Sequence, residues 1–557
     1  SPYNGSILPK GSGYAVDSSS KNGGIVWDKS VSVQSFNRLQ FLAGDFKVNF
    51  GPENNQPFGN MPEIILDSGL GSPLFFGVPT SFPQDRKIKT YQIQDQFMWL
   101  KGKHSYKTGA EISVQRTDIN YLPLQRGRLL YLSAGGVLGF TNFLDNYASF
   151  GTQWFGPNTY YPNLLEQAYF FQDDWRIRPN LTLNYGLRYE NGGQPNNLLH
   201  ELSQGEIAQL DTDSNNFAPR FGFAWVPKLW LLKDDRTVVR GGAGLSYDPA
   251  GGFLNITINS IHSPPIVRNG TFFVPSSLRG FPNAYPNALP ILQHLAEAGD
   301  ITTQFQTSIE PGFRAPKAEH YSLGIQRELP AANVLSVMYV GSRGLGLYQS
   351  LDGNPFLPET GARLFPQEGQ RRIRSNASAS TYHSLQLQWQ KRFDNNLAAV
   401  ASYAFSKSID DASEIFDAAS SAFAQDPFNR RLDRGLSAFH RKHVLTIHYI
   451  YQPPVLEWHR FKKVGWSLKQ LTRDWQISGI SNFVSGQPFT IRNGWDSNYD
   501  QPPFYSANDR PDLGNPEAHE QSVALSADLY GVFSPTGFID ANYNPVDPKE
   551  VRFVQVV

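Results

Sequence analysis

LTLNYGLRYE, residues 181–190, decides the fold class. Leu181, Leu183, Tyr185, Leu187 and Tyr189 share one face of an extended chain, while Thr182, Asn184, Gly186, Arg188 and Glu190 share the other. Successive strand side chains point to opposite faces, so this stretch reads as a β-strand with one apolar and one polar face. The pattern recurs outward in both directions. In 239–248, Val239, Ala243, Leu245 and Tyr247 oppose Arg240, Gly242, Gly244, Ser246 and Asp248. In 321–329, Tyr321, Leu323, Ile325 and Leu329 oppose Ser322, Gly324, Gln326 and Glu328. In 384–393, Leu385, Leu387, Trp389 and Phe393 oppose Ser384, Gln386, Gln388, Gln390 and Arg392, and the alternation resumes with Leu397, Ala399, Ala401, Tyr403 and Phe405. Similar segments lie near 89–100, 104–117, 166–178, 216–226, 333–342, 443–451 and 474–485.

These segments run longer than the usual globular strand of about 5–6 residues and match the ~9–11 residues that a tilted strand needs to cross a bilayer. The connections alternate. Short ones occur at Lys101-Gly102-Lys103, Arg178-Pro179-Asn180, Leu329-Pro330-Ala331 and Asp394-Asn395-Asn396. Long ones occupy 119–162, 191–215, 249–316, 344–380, 408–438 and 487–549, and the best helix candidate, 290–298, lies inside one of them. Short turns on one side and long loops on the other predict an all-β, antiparallel, up-and-down transmembrane barrel with periplasmic turns and extracellular loops. A strand with one apolar face must bury it, and closure of the sheet pairs every backbone N–H and C=O that lipid cannot satisfy. Trp99, Tyr106, Trp175, Tyr189, Tyr247, Trp389 and Trp475 near strand ends suit interfacial girdles. One segment resists: adjacent Asp173 and Asp174 put an acid on both faces, which calls for a place outside the hydrocarbon zone or a bulge.

Composition agrees. Charged residues make up 18% of the 557 residues and aromatics 13%, which suits a sheet with a large non-aqueous surface. The 49 basic and 49 acidic residues cancel, which removes the case for nucleic acid as a partner. The absence of cysteine excludes disulfides, zinc-thiolate sites and thiol nucleophiles. No run of ~18 apolar residues predicts a transmembrane helix. The first residues, SPYNGSILPK, have neither a signal-peptide pattern nor an initiator Met, so the chain reads as a fragment or a processed product.

Several stretches also resemble a known family. QAYFFQDDWRIRPNLTLNYGLRYE (167–190) is similar to a segment of TonB-dependent outer-membrane receptors, and NNFAPRFGFAWVP (215–227) and RTVVRGGAGLSYDP (236–249) look like their next hairpin. AEHYSLGIQRELP (318–330), VMYVGSRGLGLY (337–348), STYHSLQLQWQKRF (380–393), ASYAFSKSIDD (401–411), FHRKHVLTIHYIYQPP (439–454) and WQISGISNFVSGQPFTI (475–491) resemble the Oar-like branch. The likeness runs from about residue 85 onward. It implies a 22-stranded barrel of Gram-negative bacteria, an N-terminal plug and a segment that contacts a TonB-type energy-coupling protein. About 14 strands are recognisable, so the expectation is one barrel domain over 1–557, incomplete relative to 22 strands, with the plug and the extreme C-terminal strands absent. Gated transport would then belong to the parent protein.

The expected function is uptake of a specific nutrient, whether siderophore, glycan, vitamin or peptide, through an outer-membrane receptor. The partners are outer-membrane lipid, a TonB-type protein and an extracellular substrate. A passive porin-like or secretion-related barrel is the alternative, and a soluble carbohydrate-active β protein the second. No enzyme motif and no cofactor site is read. Trp154, Tyr160, Tyr161, Trp495, Tyr499 and Tyr505 are candidates for ligand contact in the loops. Arg188, Arg240, Gln386, Gln388 and Arg392 are candidates for lining the lumen, and Arg327 for the lumen or rim. His440, His443 and His448 do not read as a metal site, because the first two fall on opposite faces; Asp410, Asp411 and Glu414 read as a solvated loop. Gly241–Gly244 lies within a strand and does not read as a phosphate loop, and Gly341-Ser342-Arg343-Gly344 reads as a strand-to-loop exit.

Overall fold

The computed structural model describes residues 14–52, 61–67, 74–192, 213–228, 235–248, 262–300, 304–357, 360–369, 371–394, 396–413, 424, 426–454 and 475–488. Fourteen long strands form its frame: β1 (Tyr14–Ser32), β2 (Ser35–Pro52), β3 (Gln84–Lys101), β4 (His104–Asn120), β5 (Asn163–Arg178), β6 (Leu181–Gly192), β7 (Asn216–Trp225), β8 (Thr237–Tyr247), β9 (Lys317–Leu329), β10 (Asn333–Asp352), β11 (Arg371–Asp394), β12 (Leu397–Asp410), β13 (His443–Tyr451) and β14 (Ile477–Val484). Each pairs antiparallel with the next in sequence, in an unbroken up-and-down order. Among the described residues no ladder joins β1 to β14, so the sheet is not closed.

The apolar rows found in the sequence share one face across the ladders. Tyr185 is opposite Phe221, and Leu187 is opposite Phe171. Tyr169, Phe171, Tyr185, Leu187, Phe221, Leu323, Ile325, Tyr339, Leu385 and Phe405 are all exposed, with no second layer over them among the described residues. That arrangement belongs to a lipid-facing surface and excludes a sandwich core. Rings gather at the two rims. At the turn side Trp99 meets Tyr106 at a tilt (5.7 Å) and His104 lies between Tyr106 (5.4 Å) and Trp175 (5.3 Å). At the loop side Tyr189 meets Tyr169 (6.5 Å) and Phe217 (4.8 Å).

The Asp173-Asp174 conflict resolves without a bulge at that point. The register runs continuously through both residues and shifts only between Arg176 and Arg178. Asp173 therefore does stand on the apolar face, but within the turn-side girdle. His104 Nδ1 and the Tyr185 hydroxyl each donate to its Oδ2 at 2.7 Å, and it is fully buried. Asp174 faces the other way and accepts from Gln172 and Asn184.

Three sequence expectations need correction. The strands begin at Tyr14, well before residue 89. The segment Gly341–Gly344 is not an exit: β10 continues to Asp352 and β11 starts at Arg371, so the expected 344–380 loop shrinks by most of its length. The ladder survives there because register shifts around Leu347 absorb Gly346, which has a φ of 64° that a side chain would resist. Finally, where they are described, the connections at 121–162 and 249–316 are not plain loops.

Segments of three long connections co-fold into a cap. Its sheet runs Arg268–Phe273, Phe150–Phe155, Arg128–Tyr131, Glu63–Leu66, Leu74–Phe76, with one parallel pairing between Glu63–Leu66 and Arg128–Tyr131. The helix α1 (Ala284–Ala298) contains the expected 290–298. It buries Ala284, Ala288, Leu292 and Ala296, one face at i, i+4 spacing. It lies so close to the cap sheet that a Cβ on Gly270 would overlap the Leu292 carbonyl. The cap core contains Ile64, Leu66, Leu129, Tyr131 and Ala148. Buried Glu63 accepts from Arg128 Nε at 2.5 Å.

Leu129 is fully buried in this core. Leu129→Ala should destabilise the cap by about 2–5 kcal/mol. Limited proteolysis of the folded protein should then cut within 121–162, while the heat-modifiable gel mobility of the strand frame stays unchanged.

Candidate functional site

The polar faces of the long strands form a continuous wall opposite the lipid-facing surface. Parity places Gln94 and Gln96 of β3, Lys107 and Glu111 of β4, Phe170 and Gln172 of β5, Arg188 of β6 and Arg220 of β7 on this wall. Lys107, Gln172, Gly186 and Arg220 lie directly opposite one another along a single row across four strands. Gly109, Phe170, Arg188 and Ala218 form the adjacent row. The first row, with Phe170 and Arg188 of the second, lines a recess of about 460 Å³.

Its shape follows from residue size. The Phe170 ring lies over Gly109, where a Cβ would come within 2.8 Å of it, so glycine is what lets the ring lie flat. Gly186 and Gly222 leave the floor open beside it. Lys107 Nζ stands 6.0 Å from the Phe170 ring centroid, a loose cation–π approach. Arg188 is committed: its Nε donates to Glu190 at 2.5 Å, and its Nη2 lies 4.0 Å from Glu111. Glu111 also accepts from Gln92 at 2.6 Å. The recess therefore offers two cationic side chains, several amides and one aromatic face, a surface that suits a hydrophilic, partly anionic solute.

Arg188, expected to line the lumen, lies at the centre of this recess. Arg240 has the same parity but lies on β8, where it donates to Gln326 at 2.7 Å. Gln386 and Gln388 are on β11, away from the recess, and Gln388 reaches Ser402 at 3.5 Å. Arg392 is exposed near the turn. Arg327 is on the lipid-facing side, opposite Thr237, to which it donates at 2.5 Å. Lys107, Phe170 and Arg220 were missed, although their strands were located. Their signal was parity: each alternates with residues of the apolar row.

Of the loop aromatics, Trp154 is buried in a second cap core with Leu122, Val267 and Phe305, stacked on Phe305 at 5.6 Å. Tyr160 is buried too, and its hydroxyl donates to the Pro157 carbonyl at 2.8 Å. Tyr161 is exposed. Trp495, Tyr499 and Tyr505 lie outside the described residues, as does Glu414. His440 is buried with Nδ1 accepting from the Ser408 N–H, and His443 Nδ1 is paired with the Tyr403 hydroxyl. Among the described residues no group of three His, Asp or Glu is placed to hold a metal ion.

One buried histidine of the cap is sensitive to acid. His262 lies edge-on to Tyr121 (5.2 Å) and Tyr160 (5.6 Å), and its Nε2 meets the Tyr121 carbonyl at 2.9 Å. Burial pushes its pKa down to about 4; the Tyr121 carbonyl opposes that, and the Arg372 charge adds to it. The folded cap thus binds this proton less readily than the unfolded chain does, so stability is present above the unfolded value near 6.5 and is lost as pH falls towards 4. Complete loss amounts to roughly 3 kcal/mol. Hydrogen exchange of the amides around Tyr121 and Tyr160 should accelerate between pH 7 and pH 4.5. A His262→Gln variant should show much less of this acceleration.

A family model described as an outer membrane beta barrel domain matches residues 22–547. No curated protein matches. Among solved structures, the outer membrane transporter YddB from Escherichia coli is 12% identical, with 78% of this chain and 49% of that chain covered and a TM-score of 0.47. The FrpB iron transporter from Neisseria meningitidis is 12% identical, covering 79% and 50%, with a TM-score of 0.40. The siderophore receptor PiuA from Acinetobacter baumannii is 10% identical, covering 79% and 53%, with a TM-score of 0.41. The chain spans about half the length of each of these proteins.

Proposed function

This chain belongs to the outer membrane β-barrel domain family and resides in the outer membrane, and from that premise we propose that it forms the wall of an energy-coupled receptor for a hydrophilic nutrient. The observation that carries the reading is the two-sidedness of the strands. One face presents Tyr, Leu and Phe to hydrocarbon, and the reverse presents Gln, Lys and Arg around the Phe170 recess. A wall of that kind separates lipid from a watery path. The capped loop side adds a second argument. A folded cap with its own core is a costly way to border a passive pore, whereas a receptor needs ordered loops to select its cargo.

On this reading a TonB-type protein supplies the energy through a part of the receptor that precedes the wall. The cargo belongs among siderophores, glycan fragments, vitamins and peptides. Lys107 and Arg220, which make no ion pair among the described residues, favour cargo with a carboxylate or other anionic group.

The test is growth and labelled-solute uptake by a deletion strain complemented with the full protein. Uptake should depend on the protein and stop when a protonophore collapses the inner-membrane gradient. Lys107→Ala with Arg220→Ala should cut uptake of the anionic cargo about tenfold or more, consistent with losing two charge-assisted contacts. Protein-dependent uptake that survives the protonophore would replace this reading with a passive barrel.

A further inference from the structure

A second recess, of about 320 Å³, opens at the loop end of β8 to β10. Ser246 of β8 lines it and continues the inner-face alternation of Arg240 and Gly244. Asp248 lines it too, just beyond the strand, where its N–H still donates to the Pro316 carbonyl at 3.0 Å. Gly244 is opposite Arg220. Asp248 comes four residues after Gly244. At ~3.3 Å per residue that is about 13 Å loopward of the row that holds Arg220, so the two recesses are separate.

Tyr348 lines the second recess from β10. Its ring is stacked on Phe313 at 5.2 Å, and the residue is only 6% exposed. Its hydroxyl has no hydrogen-bond partner among the described residues. Buried hydroxyls normally have one, so this oxygen calls for a polar group that enters the recess. Two carboxylates decide the kind of group. The Tyr348 hydroxyl lies within electrostatic reach of Asp248 and Asp213. Asp213 is held in place because its Oδ2 accepts from the Ala315 N–H at 2.8 Å. Glu166 of β5 lies within reach of Asp248 as well, alongside Glu111 and Glu190. Neighbouring cations do not offset these acids. Lys317 borders the recess, but the alternation of β9 puts its side chain on the outer face with Tyr321 and Leu323. Arg188 is bound to Glu190. The walls at Pro316, Ala318 and Leu347 are apolar.

We propose that this recess binds a protonated primary amine at the end of a short aliphatic stem. An ammonium group has three donors and no acceptor, which matches the Asp248 carboxylate and the lone pairs of the Tyr348 hydroxyl. The stem lies against Leu347 and Ala318. An anion would be repelled by the acids, and a neutral alcohol would leave their charge uncompensated. The volume is at the lower end of the ~300–1,000 Å³ of small-molecule sites, so the recess takes one side-chain-sized group and not a whole bulky chelate. Its role as a cargo subsite rests on the receptor reading, whereas binding itself is measured without transport.

The test is a ligand-observed NMR titration of the full protein in mild detergent. The probes are Nα-acetyl-lysine methylamide and its norleucine analogue, which keeps the stem and lacks only the ammonium. The lysine derivative should bind and the norleucine analogue should not. Tyr348→Phe removes one hydroxyl and keeps the ring on Phe313; it should weaken binding about fivefold, and Asp248→Asn about tenfold or more. Without ligand, Tyr348→Phe should leave the melting temperature unchanged or raise it, because the hydroxyl it removes has no protein partner. Lys107→Ala with Arg220→Ala should bind the amine as the unaltered protein does, which keeps this outcome apart from that of the uptake experiment. If Asp248→Asn loses its heat-modifiable folded band, Tyr348→Phe carries the test alone. Absence of binding, equal binding of the norleucine analogue, or unchanged affinity in Tyr348→Phe overturns the proposal. A lowered melting temperature in Tyr348→Phe also overturns it, because the hydroxyl would then serve the fold.

Discussion

The structure depends on one constraint: backbone N–H and C=O groups facing hydrocarbon must find partners within the protein. Thirteen consecutive antiparallel ladders meet it between the fourteen described strands. Once the ladders are in place, side-chain parity is fixed, and parity distributes everything else. It sends Tyr185 and Leu187 outward and turns Lys107, Gln172 and Arg220 to the other side. A slip by one residue would exchange every one of these roles.

The cap obeys a different rule. It sits on the loop side, where water can satisfy polar groups, and it holds together by an ordinary apolar core around Leu66, Leu129 and Tyr131. Its strands come from separate connections, so no single loop could bury that core alone. The pair between half-buried Arg128 and buried Glu63 and the Arg126 contacts to the Val78 and Pro79 carbonyls stitch the connections together. Frame and cap thus divide the work between shielding the backbone from lipid and shaping the entrance.

This division explains what was legible in the sequence. Period-two alternation is local, so LTLNYGLRYE and its neighbours revealed the frame directly. β1 escaped because Ser18-Ser19-Ser20 and Asn22-Gly23-Gly24 interrupt the alternation, and Ile25-Val26-Trp27 puts apolar residues on both faces. The cap was invisible because its strands are mostly 3–6 residues long and pair across long stretches of chain. Only α1, with its four-residue periodicity, gave a local signal. Trp154 and Tyr160 were recognisable as clustered aromatics, but composition does not separate a ring that meets a ligand from one that fills a core. The recess is partly legible: Arg188 stood out, whereas Lys107 and Arg220 needed the register that aligns them in one row.

The buried carboxylate of Asp173 bears on how the wall is built. Its two donors come from the strands on either side, His104 from β4 and Tyr185 from β6. A hairpin of β5 with only one neighbour would carry a half-shielded acid towards the bilayer. The three strands are therefore tied side by side at the turn-side rim by one acidic side chain that neither neighbour could shield alone.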